Sequence, residues 1–119
     1  MKQRVAATID EAASVLEEVA RDIEREPELG FKEHKTAAKV ERYLTALGLT
    51  PETGLALTGV KARAQSGRPG PTVAILSELD AVGTPDSPKA DPLTGAAHTC
   101  GHFLQMTTML AAATGLMEA

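Results

Sequence analysis

Apolar residues early in the chain recur at steps of three and four: Ile9, Ala12, Ala13, Leu16, Val19, Ala20 and Ile23. That spacing predicts one buried face of a helix. Thr8-Ile9-Asp10-Glu11 reads as a capping box at its start, with the Thr8 hydroxyl serving a free backbone N–H and Glu11 reaching back. Asp10 and Glu11 also suit the positive end of the helix dipole. Pro27 cannot continue the helix, which is therefore expected to end near Arg25. Residues 26–31 form a connection carrying Pro27 and Gly30, with Leu29 and Phe31 as plugs for the core. A second helix is expected over 33–47. Ala37, Val40, Leu44 and Leu47 line its inner side, Lys35, Lys39 and Arg42 its outer side, and Gly48 is the C-terminal cap. Residues 32–39 read as a solvated face, with His34 at the surface.

Beyond Thr50 the period changes. Residues 58–64 (TGVKARA) alternate as a half-buried strand does. Residues 66–71 (SGRPGP) are a turn by composition. Residues 72–79 (TVAILSEL) form a near-continuous apolar run, which suits a strand covered on both faces. Residues 81–97 hold Pro85, Pro88 and Pro92 and read as a long loop of the kind that carries function. A third helix is expected over 101–117, with Leu104, Met109, Leu110, Ala113 and Met117 as its apolar face. The order of elements gives a layered α/β fold, a mixed sheet flanked by helices.

Composition narrows the function. With 119 residues the chain suits one domain that buries roughly two thirds of its unfolded surface. Its net charge of −4 argues against sequence-independent nucleic-acid binding, which needs a dense basic patch. No stretch approaches the roughly 18 apolar residues of a membrane span. The first residues meet charge too early for a signal peptide. A single cysteine, Cys100, leaves no internal disulfide framework, and a reducing, cytoplasmic setting is expected.

The densest cluster of reactive side chains is His98-Thr99-Cys100-Gly101-His102, where the loop enters the third helix. Thiolate and imidazole are natural ligands of zinc and similar ions. The positive helix end favours thiolate, and Gly101 allows a tight turn. The competing reading is a buried structural cysteine beside surface histidines. Cys100 and His102 are also only two ligands, where a metal site normally takes at least three from the protein. A second cluster, Ser77-Glu78-Leu79-Asp80, closes the most apolar predicted strand, and ligands gather beyond the carboxyl ends of such strands. Glu78 and Asp80 are two apart and share a face. A carboxylate there could ligate metal or orient a ligating histidine, or simply run out into solvent.

Taken in order, PELGFKEHKTA, LTGVKA, GPTVAILSELDAV and TGAAHTCGH resemble the metal-dependent amidohydrolases of the aminoacylase/carboxypeptidase superfamily, peptidase family M-twenty, and its bacterial amidohydrolase branch most closely. The resemblance covers about residues 11–116. It implies a truncated zinc-peptidase-like catalytic domain and a site that holds two divalent ions (zinc, manganese, cobalt or nickel) in the complete enzyme. It carries Cys100 and His102 over as metal ligands and Asp80 as the catalytic residue that supports them. Glu78 stands where other branches keep a metal-binding histidine and is not carried over as a ligand. Phe103 and Gln105 depart from the family pattern, which has Asp or Asn and then often His.

Members of the family are much longer. They continue with a Glu-Glu pair that supplies the base and a ligand, then with further histidines and an inserted lid and dimerisation domain. Residues 1–119 are therefore expected to be the N-terminal portion of such a catalytic domain, inactive alone. The parent substrate is a small N-acyl amino acid or peptide. The alternative is a non-catalytic interaction or oligomerising domain with at most a partial metal site. Partners would be a second copy or a complementing chain, with no nucleic acid and no membrane.

Overall fold

Helix α1 spans Lys2–Arg25 in the computed structural model, which describes residues 1–118. It starts well before the expected cap. Thr8 lies inside the helix, and its hydroxyl donates to the Arg4 carbonyl (3.0 Å) instead of serving a free N–H. The apolar stripe explains the difference, because Val5 and Ile9 continue it toward the N-terminus and meet the last helix at Gly115. A Cβ on Gly115 would lie 2.7 Å from Val5 Cγ1, so the missing side chain lets the two helices touch.

Helix α2 spans His34–Ala46. Its first-turn donors are capped from upstream. Glu28 Oε1 accepts the Lys35 N–H (3.1 Å), while Oε2 accepts the Thr36 N–H (2.8 Å) and hydroxyl (2.9 Å). The adjoining Glu33 is buried, not solvated. Its carboxylate accepts the Thr58 hydroxyl (2.6 Å) and the Phe31 N–H (2.8 Å). Burial raises its pKa, but these bonds and its own backbone N–H outweigh that, leaving it below the ordinary 4.5.

Two further sequence expectations fail here. Lys39 is not on the solvent side: it is 9% exposed, donating to the Asp22 carbonyl (2.7 Å) and pairing with Glu26 Oε2 (2.7 Å). The carboxylates of Asp22 in α1 and of Glu26 just past its end make that burial tolerable, and helical periodicity cannot see them. Phe31 is no core plug, because its left-handed backbone (φ 61°) turns the ring outward.

Helix α3 spans His102–Met117, close to the expected range. Leu16, Ile23, Val40, Leu44, Met106 and Leu110 form the core between the three helices, and the Tyr43 and Thr114 hydroxyls (2.9 Å) tie α2 to α3. Leu104 and Met117, expected inside, are exposed. The helix is apolar nearly all round, so periodicity alone could not choose its buried face.

The α/β class holds, with three helices and two small antiparallel sheets among the described residues. Strand β1 (Glu52–Leu55) pairs with β2 (Gly59–Lys61), and β3 (Val82–Gly83) pairs with β4 (Ala96–Ala97). The apolar run 72–79 differs from expectation: it has no strand assignment, and Val73 and Leu76 are largely exposed. A strand exists only through hydrogen bonds to a neighbour, and none of the described residues supplies one. The radius of gyration, 15.1 Å, reflects this arm together with the long α1, against about 13.5 Å for a globule of this length. The arm ends where Leu29 bridges Ala81 and the Ala81 N–H donates to the Glu28 carbonyl (2.7 Å). That anchor sets Asp80 beside the start of α3. Among the described residues no helix is long and apolar enough to cross a membrane.

Candidate metal centre

Gly101 enters α3 with a left-handed backbone (φ 85°), a conformation glycine adopts without strain. His102 follows as the first helical residue. Its Nδ1 lies 2.9 Å from Asp80 Oδ1 and 3.0 Å from the Asp80 carbonyl oxygen. Both partners accept only, so Nδ1 carries the proton and in the neutral ring Nε2 is left as a lone pair. Two of the three site residues inferred from sequence, Asp80 and His102, are thus in contact. The third, Cys100, has a free and exposed thiol.

Nε2 of His102 faces Glu78 Oε2 at 3.1 Å. Gln105, one turn along α3, fixes this stretch of the arm. Its Oε1 accepts the Glu78 N–H (2.9 Å) and the Ser77 hydroxyl (3.2 Å), and its Nε2 lies 3.5 Å from Glu78 Oε2. Sequence reasoning noted Gln105 only as a departure from a pattern. Its position one turn after His102 on a helix is the signal that could have placed it at the site.

His98, which the competing reading put at the surface, is buried, and neither ring nitrogen has a partner among the described residues. It follows the fully buried Ala96 and Ala97 of β4 and packs against the Phe103 ring (5.6 Å between centroids). Burial first, and the neighbouring His102 second, lower its pKa and keep it neutral. His98 also lines a cleft of about 230 Å³ with Glu24, Ser87, Lys89 and Thr99, bridged by a Lys89–Glu24 ion pair (2.6 Å).

An exposed thiol, an imidazole with one nitrogen held by a carboxylate, and an orphaned buried histidine suit a divalent ion that accepts sulfur and nitrogen. The count does not close: among the described residues no three His, Cys, Asp or Glu side chains converge on one point.

The fold holds Asp80 against His102 beside Cys100, and sequence comparison shows which proteins the chain is related to. The chain is 33% identical over 116 residues to YhaA of Bacillus subtilis, provisionally named an amidohydrolase; the match covers 95% of this chain and 29% of that protein. It is 33% identical to thermostable carboxypeptidase 2 of Saccharolobus solfataricus, over 81% of this chain and 25% of the relative. With IAA-amino acid hydrolase ILR1-like 6 of Arabidopsis thaliana the identity is 34%, over 82% and 22%. Over most of its length the chain is thus homologous to an amidohydrolase, a carboxypeptidase and an IAA-amino acid hydrolase, in line with the superfamily that its ordered motifs resemble. It spans less than a third of the length of these relatives. No family model and no solved structure matches it.

Proposed function

We propose that this chain forms part of a metal-dependent hydrolase that cleaves the amide bond of an N-acyl amino acid or small peptide. The observation that carries the reading is the Asp80–His102 contact (2.9 Å) beside an exposed Cys100, within a chain homologous to amidohydrolases and carboxypeptidases. Cys100 and His102 would hold a divalent ion, and such an ion would polarise the scissile carbonyl. Asp80 accepts a hydrogen bond from the Nδ1–H of His102 and so leaves the Nε2 lone pair available to a metal ion. Among the described residues no third His, Cys, Asp or Glu side chain converges with Cys100 and His102, so the reading includes inactivity of the isolated polypeptide.

The test is an amidase assay of the purified chain with zinc, manganese, cobalt or nickel, alongside metal analysis of the wild type and Cys100→Ser. Turnover by the isolated chain would overturn its inactivity, and equal metal content in Cys100→Ser would remove the ligand assignment.

One observation favours a second reading, an associating domain that binds at most a partial metal site. The exposed apolar arm 72–76 presents unpaired backbone to any neighbouring chain. Sedimentation would show self-association in place of a monomer.

A further inference from the structure

The arm that leads to Asp80 runs without a turn or bend from residue 69 to residue 80. Among the described residues, no backbone N–H or C=O of residues 69–77 has a hydrogen-bond partner. Val73 and Leu76 are 81% and 85% exposed, and Ile75 is 48% exposed. Residues 72–77 (TVAILS) hold no charge, no proline and no glycine. Charges and prolines are what keep an exposed strand edge from pairing with another chain, so this edge is open to one.

One of the two edges is already occupied. In an extended chain successive residues turn their N–H and C=O to alternate sides. Gln105 Oε1 accepts the Glu78 N–H (2.9 Å), so even-numbered residues face α3 and odd-numbered ones face away from it. Pro69 and Pro71 lack an N–H on that outer edge. Its unbroken donors are Val73, Ile75 and Ser77, with Ile75 at the centre.

Charge selects the partner and the direction. Lys61, Arg63 and Arg68 precede the arm, with no acidic residue between positions 53 and 77, and Glu78 and Asp80 follow it. Two such arms laid antiparallel bring the basic end of each to the acidic end of the other; laid parallel, they set like charges together. The arm is therefore its own complement about a two-fold axis.

We infer that the arm docks a second copy of this chain, the two arms pairing antiparallel about a two-fold axis at Ile75. Val73 then faces Ser77 of the partner subunit, Ile75 faces its equivalent, and each facing pair exchanges two backbone hydrogen bonds. The inference rests on the associating-domain reading above and names its partner and register.

The test is disulfide cross-linking of the full chain in a Cys100→Ser background. About this axis Ala74 lies opposite Leu76 of the partner subunit in a non-hydrogen-bonded pair, with Cα atoms about 4.5 Å apart, within disulfide reach. Ala74 is diagonal to its own equivalent at about 7–8 Å, as Leu76 is to its own, which is out of reach. A mixture of Ala74→Cys and Leu76→Cys chains should oxidise to a covalent heterodimer, and either variant alone should not. Sedimentation of the wild type up to about 100 μM should show a monomer–dimer equilibrium, as a small interface gives. Ile75→Pro should weaken it at least tenfold, because it removes the central donor. A dimer that cross-links through either variant alone, or through neither, overturns the antiparallel register and leaves the associating reading standing. A wild type that stays monomeric sinks both.

Discussion

Glu28 caps α2 from outside the helix, and replacing it by alanine tests how that helix is held. Three donors lose their acceptor at once: the Lys35 N–H, the Thr36 N–H and the Thr36 hydroxyl. Loss of a capping side chain costs about 0.5–2 kcal/mol. Removing a carboxylate from the positive helix end adds about 0.3–1 kcal/mol. Thr36 is fully buried, and a buried hydroxyl without a partner costs about 1–3 kcal/mol, toward the low end if it rotates to a carbonyl one turn back. The sum is about 2–4 kcal/mol. Glu28→Gln keeps one acceptor oxygen and the shape, and should lose about 1 kcal/mol. Urea unfolding followed by far-UV circular dichroism measures both. In a melt, the alanine variant should fall by about 8–15 °C for a chain of this size. Thr36→Val should couple to Glu28→Ala by about 1 kcal/mol in a double-mutant cycle. A Glu28→Ala variant within about 0.5 kcal/mol of wild type, or one equal to Glu28→Gln, would refute the capping argument.

Three other outcomes are expected. Glu33 has a folded pKa below 4.5, so its contribution is fully present above that pH and is lost as pH falls through the lower folded value; acid titration of unfolding should show this loss in the wild type and a flatter profile in Glu33→Gln. Gly115→Val should destabilise by about 1–3 kcal/mol, because its side chain meets Val5 and Ile9 across the α1–α3 contact; a melt unchanged from wild type would contradict that packing. Val73→Lys with Leu76→Lys should change stability by less than about 0.5 kcal/mol while lowering self-association in sedimentation, since both side chains are already in solvent.

Helical periodicity at Leu16, Ile23, Val40 and Leu44 was enough to place α1 and α2 and much of the core, because one-sided burial writes itself into spacing. The sequence likewise determined the α/β class and, through four ordered motifs, the homology. The loop-to-helix turn at Gly101 was legible because a left-handed backbone favours glycine. Other features depend on groups far apart in the chain. Lys39 goes inward only because Asp22 and Glu26 meet it there, and Glu28 becomes a cap only once the connection folds back over α2. Residues 72–79 have strand composition but no strand, since pairing belongs to two segments and not to one. The Glu78–His102–Asp80 alignment also needed tertiary structure: sequence put both carboxylates on one face, but only the packing of the arm against α3 set one at each ring nitrogen.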